Sequence, residues 1–89
     1  MPSAGLRIAE EFSAALAEIY STRVLSGIES VVRSLVQFPE TGSPRVRRCL
    51  IEQYGDNLRQ IPVSTILVVY RYDGKTVDVL ALVYGPAVV

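Results

Sequence analysis

The chain has 89 residues, the size of one small domain, so a single domain over residues 1–89 is expected. Nine Lys and Arg residues balance nine Asp and Glu residues, which excludes a uniformly basic nucleic-acid-binding protein. One cysteine and no histidine exclude an internal disulfide and a Ser-His-Asp triad, and they predict no metal site and no cofactor. Residues 1–5 lack a signal-peptide pattern, and no apolar run approaches the roughly 20 residues that span a bilayer. We therefore expect a cytoplasmic protein that does not associate with membranes.

Two amphipathic helices are predicted in the first half. The alternation of residues 6–9 fits a strand or a helical turn, and we favour a short strand. Over residues 10–20 apolar side chains recur at i, i+3, i+4 and i+7, on one face of a helix: Phe12, Ala15, Leu16 and Ile19. Two common N-cap residues, Ser21 and Thr22, then precede a second apolar stripe: Val24, Leu25, Ile28, Val32 and Leu35. The second helix should end at Phe38, because Pro39 disfavours helical backbone in the residue before it.

The second half changes to a strand pattern. Residues 66–72 are dense in β-branched and aromatic side chains, which predicts a strand central in a sheet. Asp73-Gly74 separates this run from another over residues 76–83, which predicts a hairpin with a two-residue turn. That turn sets the expected pairs: Tyr72 with Lys75, Tyr70 with Val77, and Val68 with Val79. Residues 58–61 are a plausible third strand, ended by Pro62.

The segment between the predicted helices and strands is ambiguous. A helical period fits Val46, Leu50 and Tyr54, whereas alternation also fits this part of the chain, so residues 45–54 are predicted as a strand or a turn. Taken together, these elements predict an α+β domain in which a helical hairpin packs on one face of a small, mostly antiparallel sheet.

The order of the elements and several residues together resemble the RelE/ParE superfamily of toxins from bacterial type II toxin–antitoxin systems. Leu35, Pro39 and Gly42 match a Leu-x-x-x-Pro-x-x-Gly element that ends the helical hairpin of that family, and Arg59 matches a strand arginine. A Val-Tyr pair and a closing apolar strand correspond to Val69-Tyr70 and residues 77–83. The resemblance covers residues 6–85, and its Leu-Arg and Asp-Gly pieces are more similar to the ParE side.

The resemblance implies a toxin that inhibits growth by acting on DNA gyrase or on the ribosome and its mRNA, with a role in plasmid stabilisation. It also implies a cognate antitoxin that wraps the toxin, and it is compatible with a homodimer. Many members end the last strand with His-Gly followed by arginine, where this chain has Tyr84, Gly85 and Pro86. The missing histidine and the few basic residues after residue 59 disfavour a ribosome-dependent mRNA endoribonuclease. The other hypothesis is a non-toxic interaction module that only binds the antitoxin.

The candidate site residues are mostly arginines. A basic patch is expected to bind the target or a phosphate group: Arg45, Arg47, Arg48 and Arg59. Three residues are candidates for a catalytic role: Arg59, Arg71 and Tyr84. Only Arg59 matches a family position. Each has a simpler alternative: the patch is solvated, Arg59 pairs with a surface carboxylate, Arg71 pairs with Asp78, and the tyrosines are half-buried sheet residues. Cys49 is expected to be a small packing residue.

Overall fold

The described part of the chain, residues 5–84 of a computed structural model, forms a four-stranded sheet with helices on both faces. The elements in chain order are β1 (Gly5–Ile8), α1 (Glu10–Leu16), α2 (Thr22–Leu35), α3 (Arg48–Tyr54), β2 (Leu58–Val63), β3 (Ile66–Tyr72) and β4 (Thr76–Tyr84). The strand order is β1-β4-β3-β2. β1 runs parallel to β4, and the other two pairs are antiparallel. The predicted α+β fold with a mostly antiparallel sheet is confirmed.

The first two helices bury their apolar stripes against one face of the sheet. Phe12 of α1 and Ile28 and Leu35 of α2 are buried there, against four sheet residues: Val68, Tyr70, Val77 and Val79. Ser21 caps α2 as predicted, because its hydroxyl accepts a hydrogen bond from the Val24 N–H at 3.3 Å. This cluster is the main core of the protein, and the sheet side chains in it come from the two central strands, β3 and β4.

The first helix is shorter than predicted, ending at Leu16 instead of continuing to residue 20. The N–H groups of Glu18 and Ile19 bond to carbonyls three residues back, which is the tightened geometry of a helix end. Ile19 packs against the core although it lies after the end of α1. Its apolar character therefore marks a buried residue and not a continuation of the helix.

The segment predicted as a strand or a turn is the helix α3, and that prediction is wrong. Leu50 is buried on the sheet face opposite α1 and α2, in a second cluster with Leu58, Val69 and Ala81. Gly55, at a φ of 97°, ends the helix. The expectation of a packed Cys49 is also wrong, because this α3 residue is exposed. The helical period of Val46, Leu50 and Tyr54 was therefore the informative pattern.

The hairpin of β3 and β4 has the two predicted strands in a different register. The pairs are Tyr72 with Val77, Tyr70 with Val79, and Val68 with Leu82. The predicted pairs are therefore wrong: the predicted partners of Tyr72 and Tyr70 lie two positions too early on β4, and that of Val68 lies three positions too early. The additional position at Val68 comes from a bulge in the pairing between Val69 and Tyr70.

Asp73 is the reason for the displaced turn. Its carboxylate accepts hydrogen bonds from the N–H groups of Lys75 at 2.9 Å and Thr76 at 2.8 Å. The turn is consequently centred on Gly74 and Lys75, with Gly74 at a φ of 98°. These bonds, that of Thr76 first, lower the pKa of Asp73.

The third predicted strand is longer than expected, because β2 continues through Pro62 to Val63. Pro62 is tolerated because β2 is the last strand of the sheet, where one edge needs no backbone donor at every position. None of the described helices is long and apolar enough to cross a membrane.

Candidate functional site

The loop of residues 38–42 is fastened to the sheet by a buried tyrosine. The Tyr70 side chain is fully buried on β3, and its hydroxyl donates to the Pro39 carbonyl at 2.8 Å and accepts from the Gly42 N–H at 2.8 Å. A Cβ atom on Gly42 would lie 2.6 Å from the Tyr70 hydroxyl oxygen, so this position requires glycine. The Pro-x-x-Gly element and the Val-Tyr pair of the sequence thus meet in one structural unit.

Arg59 fastens the same loop from the neighbouring strand. Its Nη1 donates to the Gly42 carbonyl at 2.7 Å and to the Glu40 carbonyl at 3.1 Å. Beyond the loop, the backbone N–H and C=O groups of Ser43 and Gln60 bond reciprocally at 3.0 Å. Arg59 therefore bonds to two backbone carbonyls and not, as the simpler alternative had it, to a surface carboxylate.

The buried phenol of Tyr70 is held in its neutral form. Burial raises its pKa, and the Gly42 N–H and the charge of Arg59 act in the opposite direction. The hydroxyl can donate to Pro39 only while it is protonated, so the raised pKa preserves that bond at a more alkaline pH than an ordinary tyrosine would allow.

The other arginines of the predicted basic patch lie around α3. Arg47 is the N-cap residue of α3, Arg48 is its first residue, and both are exposed together with Arg45. Arg59 is the register partner of Tyr70 and so lies on the face covered by α1 and α2. The sheet therefore separates Arg59 from the face on which α3 packs.

Arg71 lies on the α3 face in a polar network. Its Nη2 is 3.5 Å from the Asp78 carboxylate, as one alternative in the sequence analysis anticipated, and its Nη1 approaches the Tyr54 carbonyl at 3.4 Å. Arg7 of β1 reaches the same carboxylate at 3.5 Å. The Tyr54 hydroxyl donates to the Glu11 carboxylate, which joins α3 to α1.

Tyr54, which the sequence indicated only as part of a helical period, also belongs to this network. Partial burial, followed by the hydrogen bond and the charge of Glu11, raises the pKa of Tyr54 to about 12. Glu11 is 43 residues away in the chain, so no local pattern could have indicated the pair.

Two further site predictions concern a tyrosine and metals. Tyr84 ends β4, where its backbone pairs with Ile66, and its side chain lies outside the described part of the structure.

Among residues 5–84 no group of three or more Cys, Asp and Glu side chains is arranged to hold a metal ion.

An apolar groove runs between β1, α1 and α2. Its volume is ≈ 500 Å³, and its walls are formed mainly by apolar side chains that include Leu6, Ile8, Phe12, Leu16, Leu25 and Val32. Leu6 and Ile8 are 40% and 48% exposed, respectively. Glu29 and Arg33, which pair with each other on α2, also border the groove. An apolar surface of this kind is typical of a protein-binding site.

Comparisons with known proteins identify the class to which this fold belongs. The toxin–antitoxin complex RelBE2 from Mycobacterium tuberculosis contains a chain with a TM-score of 0.71 and 19% identity, over 92% of this chain and 98% of that one. A chain of the chromosomal ParDE toxin–antitoxin system from P. aeruginosa has a TM-score of 0.65 and 18% identity, over 91% of this chain and 95% of that one. The fold is that of RelE/ParE-type toxins. No curated protein matches the chain.

The sequence model described as "ParE toxin of type II toxin-antitoxin system, parDE" matches residues 6–85. The chain belongs to this ParE toxin family, and it is a toxin of the type II toxin–antitoxin class. The resemblance inferred from the sequence is confirmed, including its preference for the ParE side.

Proposed function

We propose that this toxin arrests growth by binding an essential bacterial machine, with DNA gyrase ahead of the ribosome, and that it does so without cutting RNA. The observation that carries the proposal is that, within residues 5–84, two tyrosine hydroxyls and the one arginine that matches a family position are already engaged in structural hydrogen bonds. Tyr70 and Arg59 hold the 38–42 loop, and Tyr54 is bonded to Glu11.

The pKa values support binding over catalysis. Efficient proton transfer needs a group whose pKa lies near the working pH. The pKa of Tyr54 is raised to about 12 and that of Tyr70 is also raised, which moves both phenols further from neutrality. The sequence contributes no histidine that could take their place.

A supercoiling assay with purified gyrase and toxin tests the target. We expect the toxin to inhibit gyrase, and we expect no cleavage when the same preparation is added to translating ribosomes and mRNA is analysed by primer extension. Cleavage of mRNA would establish the endoribonuclease instead. Inactivity in both assays, together with normal growth on expression, would establish the non-toxic module.

We also propose that the cognate antitoxin covers the apolar groove between β1, α1 and α2. The two structural relatives are described as toxin–antitoxin complexes, so a protein partner is expected for a surface of this chemistry. A segment with apolar residues at helical spacing would fill the groove, and a strand could pair with the outer edge of β1. The toxin remains compatible with a homodimer, and its working place is expected to be the cytoplasm.

A further inference from the structure

Three neighbouring strands place a row of charges on the sheet face that carries α3. Arg7 of β1 and Arg71 of β3 are both register partners of Asp78 on the intervening strand β4. Arg7 Nε lies 3.5 Å from one oxygen of the Asp78 carboxylate, and Arg71 Nη2 lies 3.5 Å from the other. Two positive charges therefore flank one negative charge.

Within residues 5–84, the distances leave much of the hydrogen-bonding capacity of both arginines unused. An N–H···O hydrogen bond normally spans about 2.7–3.2 Å, so each 3.5 Å approach is an electrostatic contact rather than a bidentate bond. A guanidinium carries five N–H donors, and among the described residues Arg71 makes one further contact, at 3.4 Å to the Tyr54 carbonyl. The Asp78 carboxylate thus holds the two guanidinium groups near each other without saturating them.

A cleft of ≈ 180 Å³ lies at this row, bordered by both arginines, Asp78, Ala9 and Leu80. Asp78 is only 17% exposed, whereas Arg71 is 39% and Arg7 79% exposed, so the positive groups are the accessible ones. The other acidic side chain of the network, Glu11, is bonded to the Tyr54 hydroxyl. An entering ligand therefore meets guanidinium donors first.

We propose that this cleft binds a phosphate group, held between Arg7 and Arg71. A tetrahedral oxyanion offers acceptors in several directions, which suits two guanidinium groups that approach from separate strands. The phosphate comes from a nucleotide monoester or from the phosphodiester backbone of a polynucleotide. The proposal is independent of the target proposed above, because it rests on the cleft alone.

Titration with inorganic phosphate at constant ionic strength, followed by NMR of the arginine Nε–H groups, tests the site in the full chain. We expect saturable shifts at Arg7 and Arg71, and none of that size when chloride replaces phosphate. Arg7→Gln and Arg71→Gln should each weaken binding by about tenfold or more, since each removes charge-assisted hydrogen bonds. Arg23→Gln, which removes an exposed arginine from α2, is the matched control and should bind as the original protein does.

Competition separates the two sources of the phosphate group. Displacement of inorganic phosphate by adenosine monophosphate alone indicates a monoester ligand, and displacement by a thymidine octanucleotide without terminal phosphate indicates a polynucleotide. The proposal is overturned if phosphate leaves Arg7 and Arg71 unshifted, or if Arg7→Gln binds as tightly as Arg23→Gln. Arg7 lies on an exposed edge strand, so this variant keeps the test decisive if Arg71→Gln does not fold.

Discussion

At the scale of single residues, Tyr70 explains why the Pro-x-x-Gly element and the Val-Tyr pair occur in one sequence. A phenylalanine would fill the same core volume, but it could not bond to Pro39 and Gly42. A buried backbone donor or acceptor that loses its partner keeps the full cost of its desolvation. The hydroxyl therefore fixes where the chain turns from α2 toward β2.

Replacing Tyr70 with phenylalanine should lower the free energy of unfolding by about 1–3 kcal/mol, because the Gly42 N–H and the Pro39 carbonyl lose their shared partner. Chemical denaturation of the purified protein measures this change. Tyr72→Phe, two residues further along β3 at a half-exposed position, should change stability by less than about 0.5 kcal/mol. Equal effects of the two substitutions would show that the hydroxyl of Tyr70 is not the stabilising group.

Arg59 carries both a structural and a functional expectation. Arg59→Ala should lower the free energy of unfolding by about 1–3 kcal/mol, since its charged donors bond to the Glu40 and Gly42 carbonyls. Arg59→Lys, which keeps the charge, should restore part of that loss. Melting temperature and growth inhibition measured on both variants separate the roles. The sequence also predicts that Arg59 contacts the target. That prediction is supported if an Arg59 variant loses toxicity while its stability and its amount of folded protein stay normal.

At the scale of elements, the differences between sequence and structure have identifiable causes. The helix α3 has only seven residues, too few turns for its period to exclude alternation. The hairpin register depends on one carboxylate, because Asp73 accepts two N–H groups and displaces the turn by one residue. Patterns of apolar residues specified which faces are buried, and they could not specify a capping bond or a bulge.

The hydrogen bond between Tyr54 and Glu11 makes a prediction about alkaline pH. The pKa of Tyr54 is raised from 10.0 to about 12 in the folded protein, by burial first and then by Glu11. Between pH 10 and 12 the unfolded chain releases a proton that the folded protein retains, so this contribution to stability is complete below pH 10 and declines as pH rises. The stability difference between the original protein and Tyr54→Phe should shrink over that range.

Ultraviolet titration of the phenols provides the direct measurement. The absorbance component lost in Tyr54→Phe should titrate well above pH 10, and Glu11→Gln should move it part of the way back, because burial remains the larger cause. A component that titrates near pH 10 in the original protein would contradict the hydrogen-bonded arrangement.

At the scale of the whole molecule, the site depends on contacts that no local pattern encodes. Pro39, Gly42 and Arg59 were singled out by resemblance, but their meeting at the Tyr70 hydroxyl requires the folded sheet. The sequence indicated a pair of Arg71 with Asp78, but it did not indicate that Arg7 approaches the same carboxylate from β1. The family and the partner of Arg71 could therefore be inferred from the sequence, whereas the contacts of Arg7 and Arg59 required the structure.

The groove between β1, α1 and α2 gives the prediction that joins fold to function. Ile8→Asp places a charge in the apolar groove at a position that is 48% exposed, so folding and toxicity should be retained while antitoxin binding is lost. Co-expression of the toxin with the product of the neighbouring reading frame measures this through growth rescue and copurification. Tyr20→Asp, at a position that is 93% exposed, is the matched control and should remain bound and neutralised. Stable copurification of Ile8→Asp with the antitoxin, at the level of the control, would place the antitoxin elsewhere on the toxin.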